Sequence, residues 1–156
     1  MAKSKRKFKY LLYISALIIF FFYWQNNTIQ VTRYRLNYDN LPQEFNGYRI
    51  VQISDMHGKT FGYENGSLAR KIKALKPDIV IATGDMMSSN IDDGKAFLDF
   101  LDHFNNASPV YMCLGNHEQI ARILNGMDEI YKNFITEAKN RGVILLDNEE
   151  EIISKG

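Results

Sequence analysis

Three short apolar segments of the sequence end alike, each in polar residues beside a glycine: SDMHG, TGDMM and LGNHE. Asp85 follows Asp55 by 30 residues, and Asn116 follows Asp85 by 31. A strand, a helix and the return to the next strand take about 30 residues. The pitch therefore predicts three neighbouring parallel strands. It places Asp55, Asp85 and Asn116 together at the carboxyl edge, where open α/β sheets bind ligands.

The pattern around these segments alternates between strand and helix. Predicted strands cover residues 48–54, 78–82, 109–114 and 143–146, and residues 30–38 alternate like an exposed or edge strand. Helices are predicted over residues 68–76 (capped by Ser67 and ended by Pro77), from Asp92 or Asp93 to Phe104, and over residues 127–141. Most of the strands are short apolar runs. They therefore predict an α/β fold whose mostly parallel sheet is covered by helices and buried on both faces.

The polar residues at the strand ends also share a direction. Side chains alternate along a strand, so Asp55 and His57 leave the first strand on the same side. Asp85 and Asn116 continue the apolar faces of their own strands in the same way. Two carboxylates, an imidazole and an amide oxygen in one place repel each other or stay unsatisfied unless a cation neutralises them. The pattern predicts a divalent metal site of Zn, Fe or Mn, held by Asp55, His57, Asp85 and Asn116.

Each of these residues has a plainer interpretation as well. An aspartate after a strand is often a helix cap or a turn residue, and Asn-His is compatible with an ordinary turn. A single histidine is more often a satisfied polar residue than a ligand, and for His103 an exposed or capping role is preferred. Three matching strand ends at equal pitch favour the metal site for the others.

The amino terminus combines a basic tail with an apolar run. Residues 1–9 carry five positive charges, and residues 10–24 contain no charged residue. Fifteen helical residues span about 22 Å, less than the hydrocarbon core of about 30 Å, but Lys9 can snorkel and flanking aromatic residues suit the interfaces. A cleaved signal peptide is the alternative, although no small-x-small cleavage site follows Trp24. We expect an uncleaved, single-pass anchor in the cell membrane, with residues 1–9 cytoplasmic and the remainder extracytoplasmic.

Charge and cysteine content limit the other function classes. Without the first nine residues, 14 basic residues stand against 18 acidic ones, so the rest of the chain is acidic. This balance argues against a nucleic-acid partner, because the basic surplus is confined to one end. The single Cys113 excludes a disulfide within the chain. Residues 25–47 are interpreted as a linker with the edge strand, and residues 48–156 as the main domain.

The motifs D-x-H (Asp55, His57), G-D (Asp85) and G-N-H-E (from Gly115) resemble, in order and spacing, those of the calcineurin-like metallophosphoesterase family. The membrane-anchored bacterial branch of that family is the most similar, given the amino-terminal segment. The resemblance covers roughly residues 48–146. It implies the amino-terminal half of a four-layer α/β/β/α sandwich, preceded by one transmembrane helix.

The resemblance also implies roles for the site residues. Asp55 and His57 would hold a first metal, Asp85 would bridge two metals, and Asn116 would bind the second. His117 would serve as an acid or transition-state stabiliser while a hydroxide activated by the two divalent ions attacks phosphorus. The substrate would contain a phosphomonoester, phosphodiester or pyrophosphate bond, in a phosphorylated small molecule or a lipid-linked compound.

This sequence departs from the family pattern in two respects. The family often has G-D-x-x-D, whose second aspartate orients the catalytic histidine, and here that position is Ser88. The family also completes its site with further histidines, whereas this sequence has only His57, His103 and His117. We therefore expect a truncated domain with an exposed apolar sheet face, or a site that another chain completes. An inactive remnant of such an enzyme is the alternative. A binding module without catalysis is less favoured, since no glycine-rich phosphate loop is present.

Overall fold

The computed structural model describes residues 2–89, 92–124 and 126–155, and it divides the chain into two compact units, residues 1–34 and 35–156. The first unit is dominated by helix α1, Ala2–Asn27. Within the described residues, α1 is the one helix long and apolar enough to cross a membrane, over the 22 residues Arg6–Asn27. That span is longer than the predicted 10–24 and reaches about 33 Å, which suits a bilayer core. A signal sequence near an amino terminus has the same length and composition.

The segment that follows α1 corrects one prediction. Residues 28–38 have no regular secondary structure, so the edge strand predicted over residues 30–38 is wrong. The alternating side chains Tyr34, Leu36 and Tyr38 are present but exposed. A strand needs a neighbour to satisfy its backbone groups, and no described strand pairs with this segment.

The second unit is built on a four-stranded sheet. Its strands are β1 (Ile50–Ile53), β2 (Ile79–Ala82), β3 (Val110–Cys113) and β4 (Val143–Leu146). They lie in the order β1-β2-β3-β4, and every neighbouring pair is parallel. The predicted parallel α/β fold is confirmed, although β1, β2 and β3 are shorter than the predicted strands. The carboxyl ends of β1, β2 and β3 therefore lie side by side, where the polar motifs follow.

Four helices accompany the sheet. They are α2 (Gly66–Leu75), α3 (Lys95–Phe104), α4 (Asn116–Ile123) and α5 (Asp128–Asn140), with short 3₁₀ turns at Gln43–Phe45 and Tyr63–Asn65. Helix α4 was not predicted. Ser67 is not a cap, because it lies inside the first turn of α2. The capping role predicted for Asp92 or Asp93 is wrong, because the N-cap of α3 is Gly94 and no described side chain caps the helix. The two aspartates instead accept backbone N–H groups in the turn before α3, Asp92 that of Gly94 and Asp93 that of Lys95.

One face of the sheet forms the core. Val80 pairs in register with Val51 and Val110, Val80 and Val110 are buried, and α5 lies against β4. The ring of Phe97 contacts those of Phe134 and Phe100, and the ring of Phe100 also contacts that of Phe104. The opposite face is only partly covered, as Ile50 is 57% exposed and Ile144 38% exposed. The predicted burial of both faces is thus wrong for the outer strands, whereas the predicted exposed apolar face is confirmed there.

Candidate metal centre

The loops that follow β1 and β2 are joined by backbone hydrogen bonds. The N–H of Asp55 donates to the carbonyl of Gly84 at 3.2 Å, and the N–H of His57 donates to the carbonyl of Asp85 at 3.0 Å. These bonds continue the β1–β2 pairing beyond the strands. They place Asp55 and His57 beside Asp85 through the backbone alone, as the regular pitch predicts.

Two glycines allow the loops after β2 and β3 to approach each other. A Cβ on Gly84 would overlap the backbone of Gly115, and a Cβ on Gly115 would overlap the Asp85 carboxylate. Gly84 also has a φ of +92°, a conformation that other residues rarely adopt. A side chain at either position would push the third loop away from Asp85.

Glu118 ties the same two loops together, and the sequence analysis assigned it no role. Its carboxylate is fully buried and accepts three backbone N–H groups, from Asp85 at 2.8 Å, Gly115 at 2.9 Å and Met87 at 3.0 Å. The bond to Gly115 belongs to the amino-terminal cap of α4. A glutamate three residues after a glycine that ends an apolar strand is a capping signal that could have revealed it.

Asp55, His57 and Asp85 form the first part of the predicted ligand set. His57 Nε2 lies 3.8 Å from Asp55 Oδ1 and 4.0 Å from Asp85 Oδ2. The Asp55 side chain is 66% exposed, whereas that of Asp85 is 13% exposed. All three residues have positive φ, between 45° and 57°, so the backbone adopts an uncommon conformation at each of these positions.

Asn116 completes the predicted ligand set, next to Asp85. With its nitrogen facing Asp85, the Asn116 amide donates to both carboxylate oxygens, at 3.0 and 2.7 Å. The other amide orientation would bring oxygen against oxygen, an arrangement that becomes favourable only with a cation between the two groups. The structure thus brings all four predicted residues together as a chain of neighbours, from Asp55 through His57 and Asp85 to Asn116.

His117 lies against the same group. Its backbone N–H donates to Asp85 Oδ1 at 2.9 Å, and its ring packs edge-to-face on His57, with centroids 4.6 Å apart. Its Nδ1 accepts the backbone N–H of Ser89 at 3.1 Å. In the family pattern, an aspartate at the position of Ser88 orients the catalytic histidine. Here the backbone N–H of Ser89 makes the polar contact to the His117 ring instead.

The donor set fits a metal ion. One donor atom from each of His57, Asp85 and His117 lies within 4.8 Å of the other two. The separations of 3.8 and 4.0 Å at His57 are too long for hydrogen bonds. Two donor atoms that bind one tetrahedral ion, each at about 2.1 Å from it, lie roughly 3.4 Å apart. The separations at His57 are closer to this value than to the length of a hydrogen bond. His103 takes no part: it is exposed and lies 3.6 Å from Glu64, which confirms the plainer interpretation of that histidine.

A parallel α/β sheet with carboxylates, imidazoles and an amide at the ends of three adjacent strands defines a metal-dependent class of site. Residues 48–152 match the calcineurin-like phosphoesterase family. The match covers most of the chain and all of the motifs described above, so this chain belongs to the calcineurin-like phosphoesterase family.

Curated relatives share the same region. UDP-2,3-diacylglucosamine pyrophosphatase LpxG of Chlamydia trachomatis is 37% identical over 105 residues, which is 61% of this chain and 31% of the relative. The uncharacterized metallophosphoesterase Cj0846 of Campylobacter jejuni is 29% identical, over 69% of this chain and 29% of the relative. A transmembrane protein with metallophosphoesterase domain of Danio rerio is 28% identical, over 64% and 23%. The chain thus spans a third or less of these relatives, and no solved structure matches it significantly.

Proposed function

We propose that residues 48–156 contribute to a metal-dependent phosphoesterase that hydrolyses a phosphomonoester, phosphodiester or pyrophosphate bond. The observation that supports this most directly is the convergence of His57, Asp85 and His117, whose donor atoms lie within 4.8 Å of one another. Family membership gives this cluster a chemical context that a metal site alone would lack.

The residues that would hold metal ions follow from their positions. Asp55, His57 and Asp85 would bind one divalent ion, and Asp85 with Asn116 a second, with Mn, Fe or Zn suited to these oxygen and nitrogen donors. Such ions supply Lewis acidity and lower the pKa of bound water. Asp85 suits the shared position because it is less exposed than Asp55 and lies between the other ligands.

His117 belongs to the cluster of three donors, but in this proposal it acts on the substrate, while Asp55, His57, Asp85 and Asn116 hold the metal ions. Since its Nδ1 accepts the Ser89 N–H, the neutral ring carries its proton on Nε2. The Asp85 carboxylate accepts the backbone N–H of His117 at 2.9 Å and so fixes the position from which the side chain extends. An Nε2–H directed at a phosphoryl or leaving-group oxygen donates a hydrogen bond as negative charge develops there.

The substrate class combines a phosphate bond with an apolar part. The relative from Chlamydia trachomatis is named for pyrophosphatase action on UDP-2,3-diacylglucosamine, an amphiphilic compound. Helix α1 would keep this chain at a membrane, where a lipid-linked phosphate substrate is concentrated. A soluble phosphorylated small molecule is the alternative substrate.

We propose the orientation of the chain from its charges. The five basic residues precede the uncharged run that begins at residue 10, so residues 1–9 would stay in the cytoplasm and the domain after α1 would be extracytoplasmic. In this arrangement α1 is a signal-anchor, the part of the predicted linker that follows α1, residues 28–47, connects it to the domain, and the site faces away from the cytoplasm.

Hydrolysis of p-nitrophenyl phosphate and bis(p-nitrophenyl) phosphate by the full chain in detergent, with Mn²⁺, tests the proposal. We expect metal-dependent turnover that Asp85→Asn lowers by about 100-fold or more, comparable to the loss of one transition-state stabilising group. Asp128→Asn, at the exposed start of α5, is the matched control and should retain activity.

Calorimetric titration with Mn²⁺ separates the proposal from its alternative. Tight uptake of two ions that Asp85→Asn abolishes supports a functional site. Absent turnover together with weak or no metal uptake would instead identify the chain as an inactive remnant.

A further inference from the structure

The carboxylate of Asp92 connects the loops around the site, although Asp92 is not one of the predicted ligands. Its Oδ2 accepts the backbone N–H of Ser88 at 2.7 Å, and its Oδ1 accepts that of Gly94 at 2.9 Å. A Cβ placed on Gly58 would lie 3.0 Å from Oδ2. Asp92 therefore links Ser88 to Gly94 and lies directly beside the loop that carries His57.

The residue next to Ser88 makes a polar contact with the proposed catalytic ring. The N–H of Ser89 donates to His117 Nδ1 at 3.1 Å. A nitrogen that accepts a hydrogen bond carries no proton, so the neutral imidazole has its proton on Nε2. The Ser89 N–H can hold this tautomer only if the Ser88–Ser89 peptide keeps its orientation. The Asp92 carboxylate holds the preceding peptide, between Met87 and Ser88, through the Ser88 N–H and so limits rotation of the backbone at Ser88.

We infer that Asp92 is a positioning residue for His117: through Ser88 it orients the Ser89 N–H, which fixes the Nε2–H tautomer of the imidazole. The usual aspartate of the family pattern, four residues earlier at position 88, would contact the histidine by its own side chain. Here a serine occupies that position, and the carboxylate acts through the backbone. The consequence for catalysis rests on the proposed function, whereas the tautomer itself does not.

The ring nitrogens report the tautomer directly. In the full chain, labelled with ¹⁵N-histidine and held in detergent micelles at alkaline pH, long-range ¹H–¹⁵N spectra distinguish protonated from unprotonated ring nitrogens. The sequence contains three histidines, and His103→Gln and His57→Gln assign their signals. We expect His117 to show a protonated Nε2 and an unprotonated Nδ1. The reverse assignment in the native chain would overturn the inference, and this measurement needs no variant of Asp92.

Asp92→Asn tests the role of the carboxylate. The amide nitrogen cannot accept an N–H, so one of the two bonds at Ser88 and Gly94 is lost. We expect the His117 nitrogen signals to shift toward a mixture of tautomers. Asp93→Asn is the matched control, because this substitution removes the same charge one residue away. Asp93 accepts the N–H of Lys95 at 2.9 Å and makes no bond to Ser88 or Gly94. Unchanged signals in Asp92→Asn, or equal shifts in both variants, would contradict the role.

Kinetics extend the test to catalysis. If the chain hydrolyses p-nitrophenyl esters, Asp92→Asn should lower kcat by about 10- to 100-fold, because misplacing a catalytic group by about 1 Å has an effect of this size. KM should change little, and Asp93→Asn should leave both constants unchanged. A lowered kcat in both variants would assign the effect to the turn before α3 and overturn the inference. A chain that shows the expected tautomer but no turnover would contradict the proposed function alone.

Discussion

Glu118 and Asp85 are joined across two loops: the buried carboxylate of Glu118 accepts the backbone N–H of Asp85 at 2.8 Å. Two further backbone donors, at Met87 and Gly115, share the same carboxylate. The predicted ligand is thus held by a charged residue with no exposed surface of its own. A buried charge is tolerated when it is fully hydrogen-bonded, and three donors satisfy this one.

Glu118→Gln should therefore weaken the hydrogen bonds that hold the loops of Asp85 and Gly115 together. The amide nitrogen of glutamine cannot accept, so at least one backbone N–H is left unpaired, at a cost of about 1–3 kcal/mol per group. Hydrogen exchange measured by NMR should accelerate at the amides of Asp85, Met87 and Gly115. Glu137→Gln, which changes an exposed carboxylate paired with Arg141, should leave these rates unchanged. Equal exchange rates at these amides in the two variants would show that the Glu118 carboxylate is not needed to hold the two loops.

Gly115→Ala should separate the loops after β2 and β3. Its Cβ would overlap the Asp85 carboxylate, and overpacking of this kind costs about 1–3 kcal/mol. We expect a lower unfolding midpoint and the loss of Mn²⁺ binding by calorimetry. Gly47→Ala is the control, because its Cβ meets nothing within 4 Å and only its positive φ is strained. Wild-type metal affinity in Gly115→Ala would show that the close approach is not needed.

The span Arg6–Asn27 should anchor the chain in a membrane. Leu17→Arg with Ile18→Arg places two charges near the centre of the helix, each costing about 2.5–3.5 kcal/mol on insertion scales. These changes should move the chain from the carbonate-resistant membrane fraction to the supernatant. In the unaltered chain, alkaline phosphatase fused after residue 40 should be active, as expected for an extracytoplasmic domain. An inactive fusion with retained membrane association would reverse the proposed orientation and leave the anchor intact.

Tyr131 on α5 should make the fold sensitive to alkaline pH. Burial raises the pKa of this phenol; Arg122 opposes the shift, and the carboxylates of Asp147 and Glu118 add to it. An acid whose pKa is higher in the folded state stabilises the fold fully below its unfolded pKa, near 10, and loses this contribution as pH rises through the folded value. Tyr131→Phe should show a smaller decline in unfolding free energy above about pH 10. Tyr38→Phe, at an exposed position, should follow the wild-type decline.

The strand order and the grouping of Asp55, Asp85 and Asn116 could be predicted because both depend on short-range information. Apolar runs fix the strands, the pitch fixes one crossover between each pair, and parallel strands bring like ends together. No long-range contact had to be known in advance.

Helix α4 escaped prediction because its sequence lacks an apolar stripe. Of its larger apolar residues, Ile120 is 41% exposed and Ile123 is 81% exposed, while Ala121 is the buried apolar residue of this helix. Helical periodicity is visible only where a face is buried. The failed edge strand over residues 30–38 is the opposite case, since its alternation is clear but its hydrogen bonds depend on a neighbour that the sequence of the segment does not specify.

Glu118 could not be placed in the interior from its residue type, because glutamate is rarely fully buried. Its burial depends on donors from two loops that meet only after three strands have paired. The tautomer of His117 is a similar case, because it depends on a backbone group 28 positions away in sequence.

The order of the strands has a consequence for synthesis of the chain. Since β2 lies between β1 and β3, the residues after β1 and those after β3 come together only when β1 and β3 have both paired with β2. A nascent chain that has emerged only as far as Asp85 carries the ligands of the first proposed ion but lacks Asn116 and His117. Under the proposed function, the second ion and the catalytic histidine would therefore join the site only after α4 has been synthesised.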